Sequence, residues 1–492
     1  MKVCDYIARR LAEEGIAHAF LVQGAANNDL IYAIANLSPV LLPESNPELT
    51  PHISAEPEIR YVCVQHEQVA GFAAEGYAKV TGRTGFACAT SGPGGQNLVT
   101  AIANCFYDSV PVLFITGQVN SRFMRKNDSL RQLGFQEWPV IECLRPITKM
   151  AELVTNPMQV PGMLEIALSV CRTGRHGPCI LDLPIDVQRA DIGEYNDWTR
   201  ALPRPEVYDP TREITLLIED LKRAQRPVLL IGGGVRGCRA QDALDILAEA
   251  LRIPVFPTWN ALDVVASDHP WYGGRVGTYG GPGRNFAVQN ADLLIAVGCR
   301  ISGRITGGKP ETFARGAKKY VVDVDTGLLD PRNQEVKTDV SVFCDAETFM
   351  RELERRWRIE IIEHGVRTAH RQRWNVKAFF WRDLYDPVHP EMTADGPVHP
   401  YAFARRLGEA APANAIIVTD CGGNVVVMNH AFKTKRGQRY FSNNGNSPMG
   451  FAFAAAIGAW FAAPERPIIC VIGDGGMQVN LQELQTLKAY SA

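Results

Sequence analysis

The sequence predicts an α/β protein made of three doubly wound parallel-sheet domains, the last of them incomplete. Three observations lead to this fold class. Short apolar runs alternate with helical patterns along nearly the whole chain of 492 residues. Two polar stretches that contain proline interrupt this alternation. The chain is also about three times as long as a typical domain of roughly 150 residues.

The first domain is predicted over residues 1–187. It opens with an amphipathic helix, because Val3, Ile7 and Leu11 recur at the helical spacing. Continuous apolar runs then predict buried parallel strands. These runs are HAFLVQ, RYVCVQ, GFACAT, VPVLFITG and CILDLP. Helical patterns such as EQVAGFAAEGYAKV and QNLVTAIANCFYD separate them, and a long helix is predicted around residues 157–173.

The second domain is predicted over residues 205–357, after a linker at 188–210. Its strands are expected at RPVLLIGGG, IPVFPTW, DLLIAVG, KYVVDVD and VSVFCD, and its last helix at AETFMRELERRW. Residues 358–398 are charged and contain proline, so they are predicted to form a second linker.

The third domain is predicted over residues 399–492. Pro400 is suited to the first turn of its first helix. Strands are expected at AIIVTD, QRYFSN and PIICVIGDGG, followed by a helix at LQELQTLKAYSA. These strands make only about half a sheet, and we therefore expect the natural chain to continue beyond Ala492.

Composition excludes several classes of protein. Lys and Arg number 51 and Asp and Glu number 53, for a net charge of −2, and this balance gives no sign of a nucleic-acid partner. Of the 12 cysteines, the nearest two in sequence are Cys171 and Cys179, so no C-x-x-C zinc or redox motif exists. The N-terminus lacks the pattern of a secretory signal, and no apolar run reaches about 18 residues. We expect a cytoplasmic protein without a membrane partner.

A glycine-rich turn carries one candidate chemistry. Gly473, Asp474, Gly475 and Gly476 follow the strand PIICVI. Glycines let a backbone approach a phosphate at a helix N-terminus, and one carboxylate is suited to a Mg²⁺ that also binds diphosphate oxygens. A plain strand-to-helix turn capped by Asp474 explains the same residues, and both interpretations stay open at this point.

A lone carboxylate at a strand end is the second candidate. Glu67 leaves the strand RYVCVQ and enters an alanine-rich helix, where poor solvation favours a role as acid or base. The alternative is a charge that stabilises the helix N-terminus.

Two further glycine turns follow apolar strands. The segment SGPGGQN, residues 91–97, is suited to a ligand at a sheet edge. The segment GGGVRG, residues 232–237, fits G-x-G-x-x-G, but the next strand ends at Thr258-Trp259-Asn260 without the acidic residue of a nicotinamide site. A nicotinamide dehydrogenase is therefore not expected.

Taken together and in this order, the motifs are far more specific. HEQ, SGPGGQN, GGG, TDCGGN, SPMGFAFAAAIGA and GDGG resemble the thiamine-diphosphate enzymes, most closely the acetolactate synthase (acetohydroxyacid synthase) large-subunit family. The resemblance covers essentially the whole chain. It implies a pyrimidine-binding, a central and a diphosphate-binding domain, with thiamine diphosphate and Mg²⁺ as cofactors. The implied reaction decarboxylates pyruvate or a related 2-oxo acid and ligates the two-carbon unit to a second 2-oxo acid.

The resemblance also implies roles for individual residues. Glu67 matches the glutamate that hydrogen-bonds the aminopyrimidine of the cofactor. Met449 matches the bulky residue beneath the bent cofactor, and Asp474 matches the first Mg²⁺ ligand. Phe135 and Gln136 match residues that face the substrate. The other cofactor-binding positions are Gly24, Ala25, Gly422, Gly423, Asn424, Gly473, Gly475 and Gly476.

Departures from the family pattern leave several points open. The second metal ligand, an Asn, would lie beyond Ala492, and Ile185 replaces a lysine common in acetolactate synthases. The loop at 274–280 lacks the Met and His of the FAD-contacting loop, and the segment at 299–307 keeps two arginines but no aspartate, so FAD stays open. The implied assembly is a homodimer or tetramer with active sites between chains, and a small regulatory subunit stays open as a partner.

Two alternative functions remain at this stage. One is an FAD-independent decarboxylase or lyase that acts on another 2-oxo acid. The other is a truncated, non-catalytic homologue.

Overall fold

The structure is a computed structural model that describes residues 1–37, 58–193, 208–278, 282–366, 368–393 and 396–491. Contacts divide the chain into two compact units. Unit 1 comprises Met1–Pro205 and Gly445–Ala492, and unit 2 comprises Glu206–Asn444. Most of the predicted linker at 188–210 lies outside the described residues.

Unit 1 contains a parallel sheet in the part of the chain that the structure describes. Its strands lie in the order β2-β1-β3-β4-β6-β5. Every residue of β3, β4 and β6 is buried, as their continuous apolar runs predict. The same prediction is wrong for β2, where only Val62 is buried, because this strand lies at the edge of the sheet. The strands are β1 (His18–Leu21), β2 (Arg60–Cys63), β3 (Gly85–Ala89), β4 (Val112–Gln118), β5 (Met150–Leu153) and β6 (Cys179–Pro184).

Helices cover both faces of this sheet. Val3, Ile7 and Leu11 of the first helix are fully buried, which confirms the predicted apolar face. The strand-to-helix transition predicted at Glu67 is also confirmed, because the third helix begins there. The helices are α1 (Val3–Glu13), α2 (Asn28–Asn36), α3 (Glu67–Thr81), α4 (Pro93–Asn97), α5 (Val99–Tyr107), α6 (Val140–Leu144), α7 (Val160–Arg172) and α8 (Ile185–Arg189).

Unit 2 contains a second parallel sheet with the order β11-β10-β9-β7-β8, and a separate parallel pair, β12 and β13. Its strands are β7 (Pro227–Ile231), β8 (Val255–Pro257), β9 (Leu293–Val297), β10 (Lys318–Asp323), β11 (Val340–Phe343), β12 (Ile416–Thr419) and β13 (Arg439–Phe441). Its helices are α9 (Thr211–Arg223), α10 (Gly234–Gly237), α11 (Gln241–Leu251), α12 (Pro282–Gln289), α13 (Gly303–Thr306), α14 (Thr326–Leu329), α15 (Ala346–Ile362), α16 (Gln372–Leu384), α17 (Pro400–Ala410) and α18 (Gly423–Ala431).

The predicted linker at 358–398 is wrong for much of its length. Helix α15 continues to Ile362, and α16 occupies the centre of the segment. Trp374 and Ala378 of α16 are buried in the core of unit 2, and the Trp374 indole donates to the Pro227 carbonyl at 3.1 Å. The segment is therefore part of the packed unit, although many of its residues are charged.

Close backbone packing explains the glycines of the GGGVRG turn. An added Cβ at Gly232 would fall on the carbonyl of Gly298, 2.5 Å from its carbon. An added Cβ at Gly234 would lie 2.8 Å from the Gly298 Cα. The turn after β7 thus needs glycine because its backbone packs directly against the backbone of the turn after β9. This packing explains the glycines without a bound ligand.

The C-terminal segment of unit 1 packs on its α3 helix. It contains α19 (Phe451–Ala462), β14 (Ile468–Val471), α20 (Asp474–Val479), a 3₁₀ turn (Leu481–Glu483) and α21 (Leu484–Tyr490). Small residues let α19 approach α3 closely, and Phe72 and Phe451 meet edge to face at 5.5 Å. Three parallel-sheet α/β blocks are thus confirmed, while the domain boundaries at 187, 205, 357 and 399 stay a prediction.

Candidate functional site

Glu67 lies where strand β2 gives way to helix α3. The His66 side chain caps this helix by accepting from the Gln68 N–H at 3.1 Å, and Glu67 is the first helical residue. Its carboxylate is half-buried, and the Asn97 amide donates to Oε2 at 3.0 Å. The side chain therefore has a fixed direction and retains the lone pairs of Oε1 for a ligand.

Glycine turns surround this carboxylate. A Cβ at Gly94 would lie 3.2 Å from Glu67 Oε1 and 2.7 Å from the Thr90 methyl group. A Cβ at Gly24 would lie 2.5 Å from the Thr90 Cβ. The predicted glycine turn at 91–97 and the predicted cofactor-binding position Gly24, which Ala25 follows directly, thus both pack against Thr90 beside Glu67.

The loop that carries Phe135 and Gln136 reaches the same turn. Gln136 has a positive φ of 65°, and a Cβ at Gly92 would lie 2.8 Å from its carbonyl oxygen. The Phe135 side chain is 87% exposed. Glu137 holds the loop in shape, because its carboxylate accepts from three backbone N–H groups. These donors are Arg125 at 2.6 Å, Leu133 at 2.8 Å and Gly134 at 3.3 Å.

The second group of predicted residues lies in the C-terminal segment of unit 1. Gly473 precedes α20, and Asp474 is its exposed first residue. A Cβ at Gly475 would lie 3.0 Å from Met449 Cε, so the predicted diphosphate turn and the predicted support residue are neighbours. Gly476 is buried in the next position of the turn. Within the described ranges, no three His, Cys, Asp or Glu side chains gather into a group that could hold a metal ion.

The third group, Gly422, Gly423 and Asn424, belongs to unit 2. Gly422 has a φ of +71° and directly precedes α18, whose first residues are Gly423 and Asn424. Added Cβ atoms at Gly422 and Gly423 would meet nothing within 4 Å. The turn after β12 is therefore open, as a backbone surface for a ligand would be.

Two carboxylates that the sequence analysis did not single out are buried in unit 1. Asp182, near the carboxyl end of β6, is 1% exposed, and Glu483, in the 3₁₀ turn before α21, is fully buried. Thr116 and Gln118 of β4 donate to Asp182 at 2.7 and 2.9 Å. The residues next to each carboxylate in the sequence are both polar and apolar, so they do not indicate that it is buried. Its burial results from the packing of elements that are distant in sequence.

Burial raises the pKa of Asp182 to about 7, although the hydrogen bonds from Thr116 and Gln118 act in the opposite direction. Between an ordinary carboxyl pKa and pH 7, the folded protein then holds a proton that the unfolded chain releases. The contribution of this group to stability is therefore fully present at low pH and is lost as the pH rises towards 7.

Asp182→Asn is expected to remove this pH dependence. At pH 8 the free energy of unfolding of the variant should exceed that of the parent by about 2 kcal/mol or more, since one pKa unit corresponds to about 1.4 kcal/mol. At pH 4 the two should be equal. Urea unfolding at both pH values measures the difference, and an equal offset at pH 4 and pH 8 would contradict the assignment.

Three thiamine pyrophosphate enzyme family models match the chain. The N-terminal thiamine pyrophosphate-binding domain matches residues 40–139, the central domain residues 214–353, and the C-terminal thiamine pyrophosphate-binding domain residues 420–492. The chain therefore belongs to the thiamine pyrophosphate enzymes, as its motifs predict.

Within that class, the chain is similar to acetolactate synthase large subunits. It is 35% identical over 444 residues to a probable acetolactate synthase large subunit of Methanocaldococcus jannaschii, which covers 88% of this chain and 72% of the relative. It is 33% identical over 431 residues to the acetolactate synthase isozyme 2 large subunit of Escherichia coli, covering 87% and 74%. The predicted thiamine-dependent carboligase or decarboxylase class is thereby confirmed.

Among the residues that the structure describes, no helix combines the length and the apolar character needed to cross a membrane.

Proposed function

We propose that this chain is an acetolactate synthase-like enzyme that depends on thiamine diphosphate and Mg²⁺. It decarboxylates pyruvate or a related 2-oxo acid and joins the two-carbon unit to a second 2-oxo acid. The observation that carries the proposal is the position of Glu67, the first residue of α3, with Asn97 on one carboxylate oxygen and a glycine beside the other. The similarity to acetolactate synthase large subunits supports the choice of reaction.

The residues present fit the cofactor. Gly94 leaves the space beside Glu67 Oε1 free of a side chain, and Gly422 and Gly423 form an open turn in their own unit. Asp474 is exposed at the start of α20 and would supply one carboxylate to a Mg²⁺ that also binds diphosphate. Thiamine diphosphate, when bound, would supply the electron sink that decarboxylation of a 2-oxo acid needs.

The protein residues have distinct roles in this proposal. Glu67, directed by Asn97, would hold the proton at Oε1 that it shares with the pyrimidine ring of the cofactor, and Met449 would support the cofactor beside the diphosphate turn. Phe135 and Gln136 lie on the substrate side. The strongly exposed Phe135 ring suits an active site that a second chain completes, and we propose a homodimer or tetramer.

Further partners follow from the same proposal. The relatives are named large subunits, which supports a small regulatory subunit as a partner. FAD stays open as a further cofactor. The Arg275 guanidinium in the altered loop already donates to the carbonyls of Met428 and Asn429 within unit 2, so this arginine gives no support for a flavin site. The cytoplasmic location expected from the sequence stays a prediction.

Product analysis tests the proposal. The protein as its natural source makes it, supplied with thiamine diphosphate, Mg²⁺ and pyruvate, should release CO₂ and form acetolactate. Removal of Mg²⁺ by EDTA should abolish both, and restored Mg²⁺ should recover them. Free aldehyde without acetolactate would instead favour the decarboxylase or lyase. If the protein neither turned over any 2-oxo acid nor bound the cofactor, the result would favour the non-catalytic homologue.

A further inference from the structure

Strand β2 is an edge strand, and its outer N–H groups need partners. The N–H groups of Arg60 and Val64 face β1, where they donate to the Ala17 and Leu21 carbonyls at 2.9 and 3.1 Å. Because successive residues of a strand alternate in direction, the N–H groups of Cys63 and Gln65 face away from β1. Unpaired donors on such an edge are costly when they are shielded from water.

Two side chains of the C-terminal segment bind these outer donors. The Cys63 N–H donates to the Tyr490 hydroxyl oxygen at 2.8 Å. The Gln65 N–H donates to both carboxylate oxygens of Glu483, at 3.0 and 3.2 Å. Side chains from α21 and the preceding 3₁₀ turn thus accept the hydrogen bonds that another strand would otherwise accept at this edge.

Glu483 is committed to this task. Its carboxylate is fully buried, and it also accepts from the His66 N–H and, at 2.6 Å, from the Thr486 hydroxyl. Burial raises the pKa of Glu483, whereas the bonds from Gln65, His66 and Thr486 oppose that rise. All of these donors are neutral, and two of them are the backbone groups that immediately precede Glu67.

The position of these bonds ties two parts of the candidate site together. Gln65 and His66 connect β2 to α3, and His66 caps the helix, so their backbone sets the direction in which the Glu67 side chain leaves the helix. Glu483 closely follows α20, whose first residue is Asp474. A shift of the carboxylate would therefore move the helix start that carries the Glu67 side chain.

We propose that Glu483 is a positioning residue for Glu67, because its carboxylate fixes the backbone of Gln65 and His66 at the point where α3 begins. This role rests on the proposed function of Glu67 as the proton-sharing carboxylate. Tyr490 assists it by holding the same strand edge two residues earlier.

Amide hydrogen exchange and kinetics together test the proposal. Glu483→Ala should increase exchange at Gln65 and His66 by about tenfold or more in protein without added cofactor, since each loses a charge-assisted acceptor. Turnover should also fall about tenfold, with the KM for pyruvate nearly unchanged. Glu483→Gln should recover part of both effects, because its amide oxygen accepts one of the bonds.

A double-mutant cycle separates positioning from general destabilisation. If Glu483 acts through Glu67, the Glu67→Gln/Glu483→Ala double variant should turn over about as slowly as Glu67→Gln alone. Glu165→Gln is the matched control, since Glu165 is 2% exposed and paired with Arg10 elsewhere in unit 1. That control should lower the melting temperature without changing exchange at Gln65 or His66, and without changing turnover.

Each outcome decides the matter. Unchanged exchange at Gln65 and His66 in Glu483→Ala would overturn the positioning role. So would a double variant whose loss of turnover is the product of the losses of Glu67→Gln and Glu483→Ala. If Glu483→Ala fails to fold, Glu483→Gln and Tyr490→Phe supply the same exchange measurement at the strand end. If Glu67→Gln alone keeps full turnover, the proposed function of Glu67 fails, while the exchange data still show whether Glu483 holds the strand end.

Discussion

Replacing Glu67 by Gln is expected to leave the fold intact and to reduce turnover by about 10²-fold or more, the usual scale for removing an acid or base. Gln has the shape of Glu and keeps an oxygen for the Asn97 amide, which donates to Oε2 at 3.0 Å. It cannot exchange a proton with the cofactor ring. Steady-state kinetics on pyruvate at saturating thiamine diphosphate and Mg²⁺ measures the loss.

Two further variants make this measurement specific. Glu58→Gln changes an exposed carboxylate on the approach to β2 and should keep full turnover. Asn97→Ala keeps the Glu67 carboxylate but removes its partner, and should lose about tenfold, the scale of one hydrogen bond to a charged group. Full activity of Glu67→Gln would show that this carboxylate has no acid or base role.

The position of Glu67 could be predicted because its signal is local. An apolar strand, a charged residue and an alanine-rich helix follow one another within about twenty residues, and the structure has them in that order, although the strand β2 is largely exposed. The elements that sequence reasoning missed carry mixed signals. Strand β5 is only partly buried and contains Glu152, while α16 has its buried Trp374 and Ala378 among many charged residues.

The buried carboxylates could not be predicted, because their environment is made by distant segments. Glu483 binds the Gln65 N–H across 418 positions of sequence, and Asp182 is bonded by Thr116, 66 positions away. A carboxylate next to apolar residues in a sequence is normally a solvated one. Only the pairing of β4 with β6, and the return of the C-terminal segment to β2, encloses these two groups.

The close packing of α3 against α19 is a second feature of unit 1 that the sequence alone does not predict. The glycines of α3 and α19 lie among alanines, a pattern that also suits a simple buried helix. In the structure, an added Cβ at Gly458 would fall on the Ala73 carbonyl, 2.6 Å from its carbon, and one at Gly76 would lie 2.8 Å from the Ala455 carbonyl carbon. Each glycine thus receives the backbone of the other helix.

Gly458→Val is therefore expected to destabilise the protein by about 3 kcal/mol or more, at the upper end of overpacking effects. Backbone atoms cannot rotate away as a side chain would, so the two helices must separate. Because α3 begins at Glu67 and α19 closely follows Met449, the separation would also displace the elements that carry these two residues. Urea unfolding measures the stability, and fluorescence of the nearby Trp460 reports on α19 itself.

Gly162→Ala is the matched control for this substitution. Gly162 lies in the first turns of α7, and an added Cβ there would meet nothing within 4 Å. Ala should therefore be neutral or should stabilise the protein by about 0.5–1 kcal/mol through its higher helix propensity. If Gly458→Val unfolded at the same urea concentration as this control, the backbone contact between α3 and α19 would be refuted.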